Sequence, residues 1–86
     1  MSTYGSRLKQ ERLRLRLTQR QLALVGGVGR HAQGFYERDM TQPRADYLAA
    51  ITLVGIDVLY IITGRHTQQH SSPERTSFGN GQLTEN

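Results

Sequence analysis

Arg30 and His31 stand side by side after a glycine, with Gln33, Gly34 and Phe35 close behind and Arg38 and Arg44 further on. Arg12 and Gln19 precede them. These side chains donate hydrogen bonds and carry positive charge, and none of them pairs a nucleophile with a base. An arginine in such a setting donates two hydrogen bonds to a guanine edge or grips a phosphate. The chain has no cysteine, which excludes disulfides and thiolate zinc sites and suits a reducing compartment. It has no P-loop glycine pattern and no clustered histidines or carboxylates, so neither an enzymatic activity nor a cofactor is expected. His66 and His70 are spaced for a metal on a helix, but their surroundings are too polar to hold a rigid site, and no metal is expected.

The elements that must carry these residues are short. Thr18 to Glu37 reads T-Q-R-Q-L-A-L-V-G-G-V-G-R-H-A-Q-G-F-Y-E, two helix-like runs around a break at Gly26, Gly27 and Gly29. Two helices joined sharply by a few residues with glycine make a helix-turn-helix, which presents its second helix to a DNA groove. Thr18 suits the N-cap of the first of these helices, and the second is expected over about 29–38, with Asp39 closing it in a left-handed conformation. Before them, Tyr4, Leu8 and Leu15 fall near one face of a helix over 4–15, with Leu13 and Leu17 beside it and Ser2 or Thr3 as its cap. After them, Pro43 stops one element and starts the next. A fourth helix is expected over 44–54, with Tyr47, Leu48, Ile51 and Val54 inward, broken by Gly55. A fifth is expected over 56–63, with Asp57 near its N-terminus. The run V-L-Y-I-I is β-branched, but a lone strand has no partner, so helix is preferred.

The sequence of 86 residues carries a formal net charge of +4. Residues 1–64 hold nine Lys or Arg against five Asp or Glu, whereas residues 65–86 are balanced. A basic globular part with a neutral tail suits nucleic-acid binding better than a basic disordered arm does. The division expected is therefore a DNA-binding domain over 1–64 and a polar, flexible tail over 65–86. No apolar run approaches a membrane span, and the N-terminus lacks an apolar signal segment. A cytoplasmic protein of a bacterial or phage-infected cell, associated with the nucleoid, is expected.

Three stretches carry a family resemblance: T-Q-R-Q-L-A with G-V after it, Y-E-R-D followed by Pro43, and Y-L-A-A-I-T-L-V-G-I-D-V-L-Y-I-I-T-G. Together they resemble the phage-repressor-like helix-turn-helix family (lambda Cro/C1-type, or XRE), over about residues 4–64, and the closing stretch is similar to short prophage C-type repressors. The resemblance implies an all-α, compact five-helix lambda-repressor-like DNA-binding domain that acts as a dimer on operator DNA. Carried over residue by residue, it implies packing at Leu22, Ala23, Val28 and Tyr36, and a salt bridge between Arg12 and Glu37. Arg30 and His31 match the base-reading start of the recognition helix, and Gly34 and Phe35 lie one turn later on the same face. Gln19, Arg12, Arg38 and Arg44 are expected at phosphates, with Glu37 aiming Arg12. The chain departs from the family at Gly29, where Ser or Thr is usual, at Asp39, where glycine is usual, and at Gln33, where a branched apolar residue usually packs. A buried glutamine needs a hydrogen-bond partner. Either the helix rolls so that Phe35 supplies the packing, or Gln33 reaches a base.

Val58, Tyr60 and Ile61 exceed what one face of a short helix can bury, so a homodimer interface is expected there, with core burial as the bland reading. A symmetric dimer would read an inverted repeat. The function expected is a sequence-specific transcriptional repressor of prophage type. Larger phage repressors carry a self-cleaving peptidase domain after this one; here about twenty polar residues follow, so an antirepressor or falling concentration is expected to relieve repression. The alternatives are an antitoxin or controller protein whose tail wraps a toxin partner, and a protein-interaction module on the same fold.

Overall fold

A computed structural model describes residues 2–66. His70 and most of the polar tail expected over 65–86 lie outside the described residues. Among those described, the chain is all-helical: α1 Tyr4–Arg14, α2 Gln19–Gly26, α3 Arg30–Glu37, α4 Ala45–Ile51 and α5 Val58–Thr63, with a 3-10 turn at Thr52–Val54 after α4. No helix among them is long and apolar enough to cross a membrane.

Three of the helices, α1, α2 and α5, begin where a side chain satisfies a free N–H group. Thr3 and Ser6 cap α1 reciprocally, and Thr18 and Gln21 do the same for α2. Asp57 accepts from the Tyr60 N–H to start α5, so that helix begins two residues later than its apolar pattern suggests. Gly29 caps α3 without a side chain. The α2–α3 turn depends on Gly27, whose φ of 77° is cheap only for glycine. There the Val28 N–H returns to the Ala23 carbonyl at 2.9 Å.

Leu8, Leu22, Tyr36, Tyr47, Ile51, Ile56 and Ile61 form the core, with Leu15, Leu17, Val25, Val28, Ala32, Leu48 and Val58 packed against it. Every helix contributes at least one buried side chain, which is how five helices of 6–11 residues hold together. Val54, expected inward, is exposed because the 3-10 turn rotates it out of the α4 register. The α1 stripe is also narrower than its periodicity suggests. Tyr4, at the start of the helix, and Leu13 are exposed; α1 ends at Arg14 and the chain turns through Arg16 at φ 60°. Leu15 and Leu17 reach the core from that turn. The interior surface of α1 is completed by two charged residues, Glu11 and Arg12.

Asp39 takes the left-handed conformation expected of it, at φ 62°. The same carboxylate accepts the Thr3 hydroxyl at 2.5 Å and the Gly5 N–H at 2.9 Å, so the end of α3 receives the start of α1. Gly5 permits this approach: a Cβ there would lie 2.5 Å from the Tyr36 carbonyl oxygen and 2.6 Å from that of Glu37. Backbone atoms cannot swing aside as a side chain can. Gly5→Ala is therefore expected to destabilise the fold by about 1–3 kcal/mol, despite alanine's better helix propensity. Thermal unfolding followed by circular dichroism checks this, and an unchanged or raised Tm would contradict the close approach.

Candidate nucleic-acid interface

Glu37, in the last turn of α3, is the carboxylate around which the α1–α2–α3 corner is built. Arg12 reaches it from α1 with two parallel hydrogen bonds, Nε to Oε2 at 2.7 Å and Nη2 to Oε1 at 3.0 Å. Gln19 of α2 donates to Oε1 at 3.2 Å, and Gln33, one turn back on α3, donates to Oε2 at 2.8 Å. The chain of contacts continues into α4, where the Tyr47 hydroxyl donates to Gln33 Oε1 at 2.6 Å. The third Arg12 nitrogen donates to the Leu17 carbonyl at 2.8 Å, fixing the turn that leads into α2. The expected Arg12–Glu37 salt bridge is present, and the two side chains are only 8% and 2% exposed.

This network corrects two expectations. Gln33 is fully buried, and both ends of its amide are engaged inside the protein, so it does not face a base. Neither of the two readings of this position holds: Gln33 is satisfied by Glu37 and Tyr47, and Phe35 remains 40% exposed. Arg12 is likewise turned inward with every guanidinium nitrogen bonded, so it is a structural partner of Glu37 and not a phosphate ligand.

Above the buried network, the outer surface of the same corner is a shallow depression of about 160 Å³ lined by Gln19, Arg30, His31, Gly34 and Arg38. Five of the expected DNA-contacting residues thus converge, two of them arginines, and no carboxylate lines the depression. Arg30 and His31 are exposed in the first turn of α3, and Phe35 borders the site, with the Arg38 guanidinium carbon 5.5 Å from its ring centre. Arg44 is exposed as the N-cap of α4 and does not line the depression. No protein-family model, curated protein or solved structure matches this chain.

The expected interface on α5 is also corrected. Ile61 and Tyr60 are buried and Val58 is half-buried against the core, with the Tyr60 hydroxyl donating to Gln10 Oε1 at 2.5 Å. The apolar side chains that α5 turns outward are Leu59 and Ile62, each 42% exposed. The capping geometry at Asp57 sets this rotation, and side-chain periodicity over six residues is too short to reveal it.

A second buried carboxylate escaped sequence reasoning. Glu11 is 1% exposed and accepts from Arg14 at 2.8 and 3.1 Å and from the Asp57 N–H at 2.8 Å. Arg14 also donates to the Gly55 carbonyl, so this group ties α1 to the turn before α5. An i,i+3 Glu–Arg pair ordinarily marks a solvated face, and nothing local distinguishes this one.

Burial by itself would raise the Glu37 carboxyl, but hydrogen bonds from Arg12, Gln33 and Gln19 outweigh it and hold the group below its ordinary value of 4.5. Glu11 follows the same logic: burial opposes ionisation, while Arg14 and the Asp57 N–H more than offset it. Burial pushes the Tyr47 phenol up, so it stays a donor to Gln33. Both glutamates bind fewer protons folded than unfolded. Their stabilisation is therefore complete above the unfolded value and is lost as pH falls from about 4.5 through the lowered folded values. Thermal melts across pH 7 to 2 are expected to be level at the neutral end and to fall steeply below about 4.5. Glu37→Gln strands the Arg12 charge and is expected to cost about 3–5 kcal/mol at neutral pH, with a shallower acid limb. An acid limb as steep as that of the wild type would remove Glu37 from this account.

Proposed function

We propose that this protein is a sequence-specific DNA-binding regulator, a transcriptional repressor of prophage type, which reads duplex DNA through a helix-turn-helix formed by α2 and α3. The observation that carries this reading is the convergence of Gln19, Arg30, His31, Gly34 and Arg38 on one exposed depression lined by two arginines and no carboxylate. Hydrogen-bond donors on one short helix, backed by positive charge, are what a major groove edge and its flanking phosphates accept. Arg30, at the first position of α3, is the principal base reader, with His31 beside it. Gln19 at the start of α2 and Arg44 at the start of α4 contact phosphates. The buried Glu37 network holds α2 against α3 so that these contacts are made in one register.

Repression by a small domain of this kind is proposed to use a homodimer on an inverted repeat, as the resemblance to phage repressors implies. Leu59 and Ile62, one turn apart on the outward side of α5, are the residues assigned to the contact between copies. Sedimentation of the full chain is expected to show a dimer that Leu59→Asp with Ile62→Asp converts to monomer without loss of helicity. A wild type that stays monomeric both free and on DNA would remove the dimer from this proposal.

The reading itself is tested by selection of bound duplexes from a randomised DNA pool, followed by titration at several salt concentrations. Enrichment of an inverted repeat is expected, with affinity falling as salt rises at a log–log slope of about −0.9 per phosphate neutralised. Arg30→Ala should weaken the selected site by about 1–3 kcal/mol and relax one position in each half. A pool that shows no enrichment, bound only weakly at physiological salt, would overturn the reading.

A further inference from the structure

Gly34 lies one turn before Arg38 on the outer side of α3, beneath the depression that both residues line. A Cβ placed at Gly34 would be 3.3 Å from Arg38 Nη1 and 3.9 Å from both Arg38 Cζ and Gln19 Oε1. The guanidinium thus lies back across the place where any other residue would put a side chain. It also leans on the Phe35 ring, with its carbon 5.5 Å from the ring centre. Among the described residues it has no hydrogen-bond acceptor and no carboxylate partner.

Building on the DNA-reading function proposed above, we infer that Arg38 is a second base reader directed at a guanine, with Gly34 and Phe35 as its positioning residues. A phosphate ligand needs only charge and reach, and an arginine extended into solvent from the end of a helix provides both. Arg38 is instead drawn in toward its own helix, on the same depression as Arg30 and His31, and an aromatic face supports its guanidinium. Restricting the guanidinium matters for a planar fork whose value lies in two simultaneous hydrogen bonds. The paired acceptors that match this fork in the major groove are guanine O6 and N7. Gly34 sits in a helix, where alanine would be the better helix former, and its backbone needs no left-handed conformation. Its missing side chain is therefore assigned to the space that Arg38 occupies.

Because Nη1 is the far end of a flexible side chain, Gly34→Ala should displace it by a few tenths of an ångström without disturbing the core. The two roles of position 34 can then be separated. Gly34→Ala is expected to melt no lower than the wild type and yet lose preference at one guanine of the selected site. Arg38→Ala should lose preference at that same guanine, with affinity for the selected duplex falling roughly 5- to 150-fold. Adding Gly34→Ala to Arg38→Ala should cost little more, since the two act on one contact. The measurement is selection from a randomised duplex pool with the full-length wild type and each variant, followed by titration of the selected duplex carrying 7-deazaguanine at the affected position. The modified base should weaken the wild type and leave Arg38→Ala unchanged. The inference is overturned if Arg38→Ala weakens all sequences alike and lowers the salt slope by about one, the behaviour of a phosphate ligand. It is also overturned if Gly34→Ala keeps the full guanine preference. A wild type that enriches no sequence at all would instead overturn the DNA-reading function, and this inference with it.

Discussion

The Glu37 carboxylate is the constraint on which the remaining structure depends. A carboxylate buried among helices is tolerable only if it is paired and its lone pairs are occupied. Arg12, Gln19 and Gln33 meet that requirement, and they come from three different helices. Gln33 in turn needs its own oxygen satisfied, which the Tyr47 hydroxyl of α4 supplies. One buried charge therefore propagates a demand for fixed geometry through four of the five helices. Apolar packing alone would not impose this, because side chains such as Leu8, Leu22 and Ile51 reward burial with little regard to direction. The polar chain imposes direction, and with it the register of α2 against α3.

The outward surface of α3 follows from that register. With Gln33, Tyr36 and Glu37 committed to the interior, Arg30, His31, Phe35 and Arg38 are left exposed, and Gly34, itself buried, lines the depression beneath Arg38. The division explains how one eight-residue helix serves stability and proposed recognition together. Gln33 and Glu37 belong to the network that locks it and Tyr36 to the core, while Arg30, His31 and Arg38 carry the donors on its exposed side. Two further polar clusters secure the ends of α1. Asp39 receives its N-terminus and Glu11 joins its later turns to the start of α5. Arg7 adds a hydrogen bond to the Ile61 carbonyl at 2.8 Å. The small apolar core is thus braced at its margins by directional contacts, the arrangement expected where burial alone supplies little margin.

Much of the fold was legible along the chain. Thr3, Thr18 and Asp57 are capping residues whose preference is local. Gly27 and Gly55 take positive φ where the helical patterns break, and Asp39 could be assigned its left-handed conformation because a short polar side chain tolerates it. Helix number and order follow from such signals. Of the candidate interface, Arg30, His31, Gly34 and Arg38 were legible as a group, since helical spacing brings residues three and four apart onto one side, and Gln19 was legible as the start of the preceding helix.

What the sequence determined by itself was therefore local: the helices, their caps, their breaks and the basic character of the α2–α3 corner, all governed by interactions within a few residues. Tertiary structure alone decided which polar groups turned inward. Arg12 and Arg30 are the same residue type, yet one is sealed against Glu37 and the other faces solvent. Gln33 could have faced outward until Tyr47, fourteen positions later, supplied the donor its buried oxygen requires. Similarly, the capping residue Asp57, from which α5 starts with Tyr60 and Ile61 buried and Leu59 and Ile62 exposed, has its own N–H held by Glu11, forty-six positions away. The physical reason is common to all three. A polar side chain is buried only when a partner is already in place, and here those partners are brought together by the fold from distant parts of the chain.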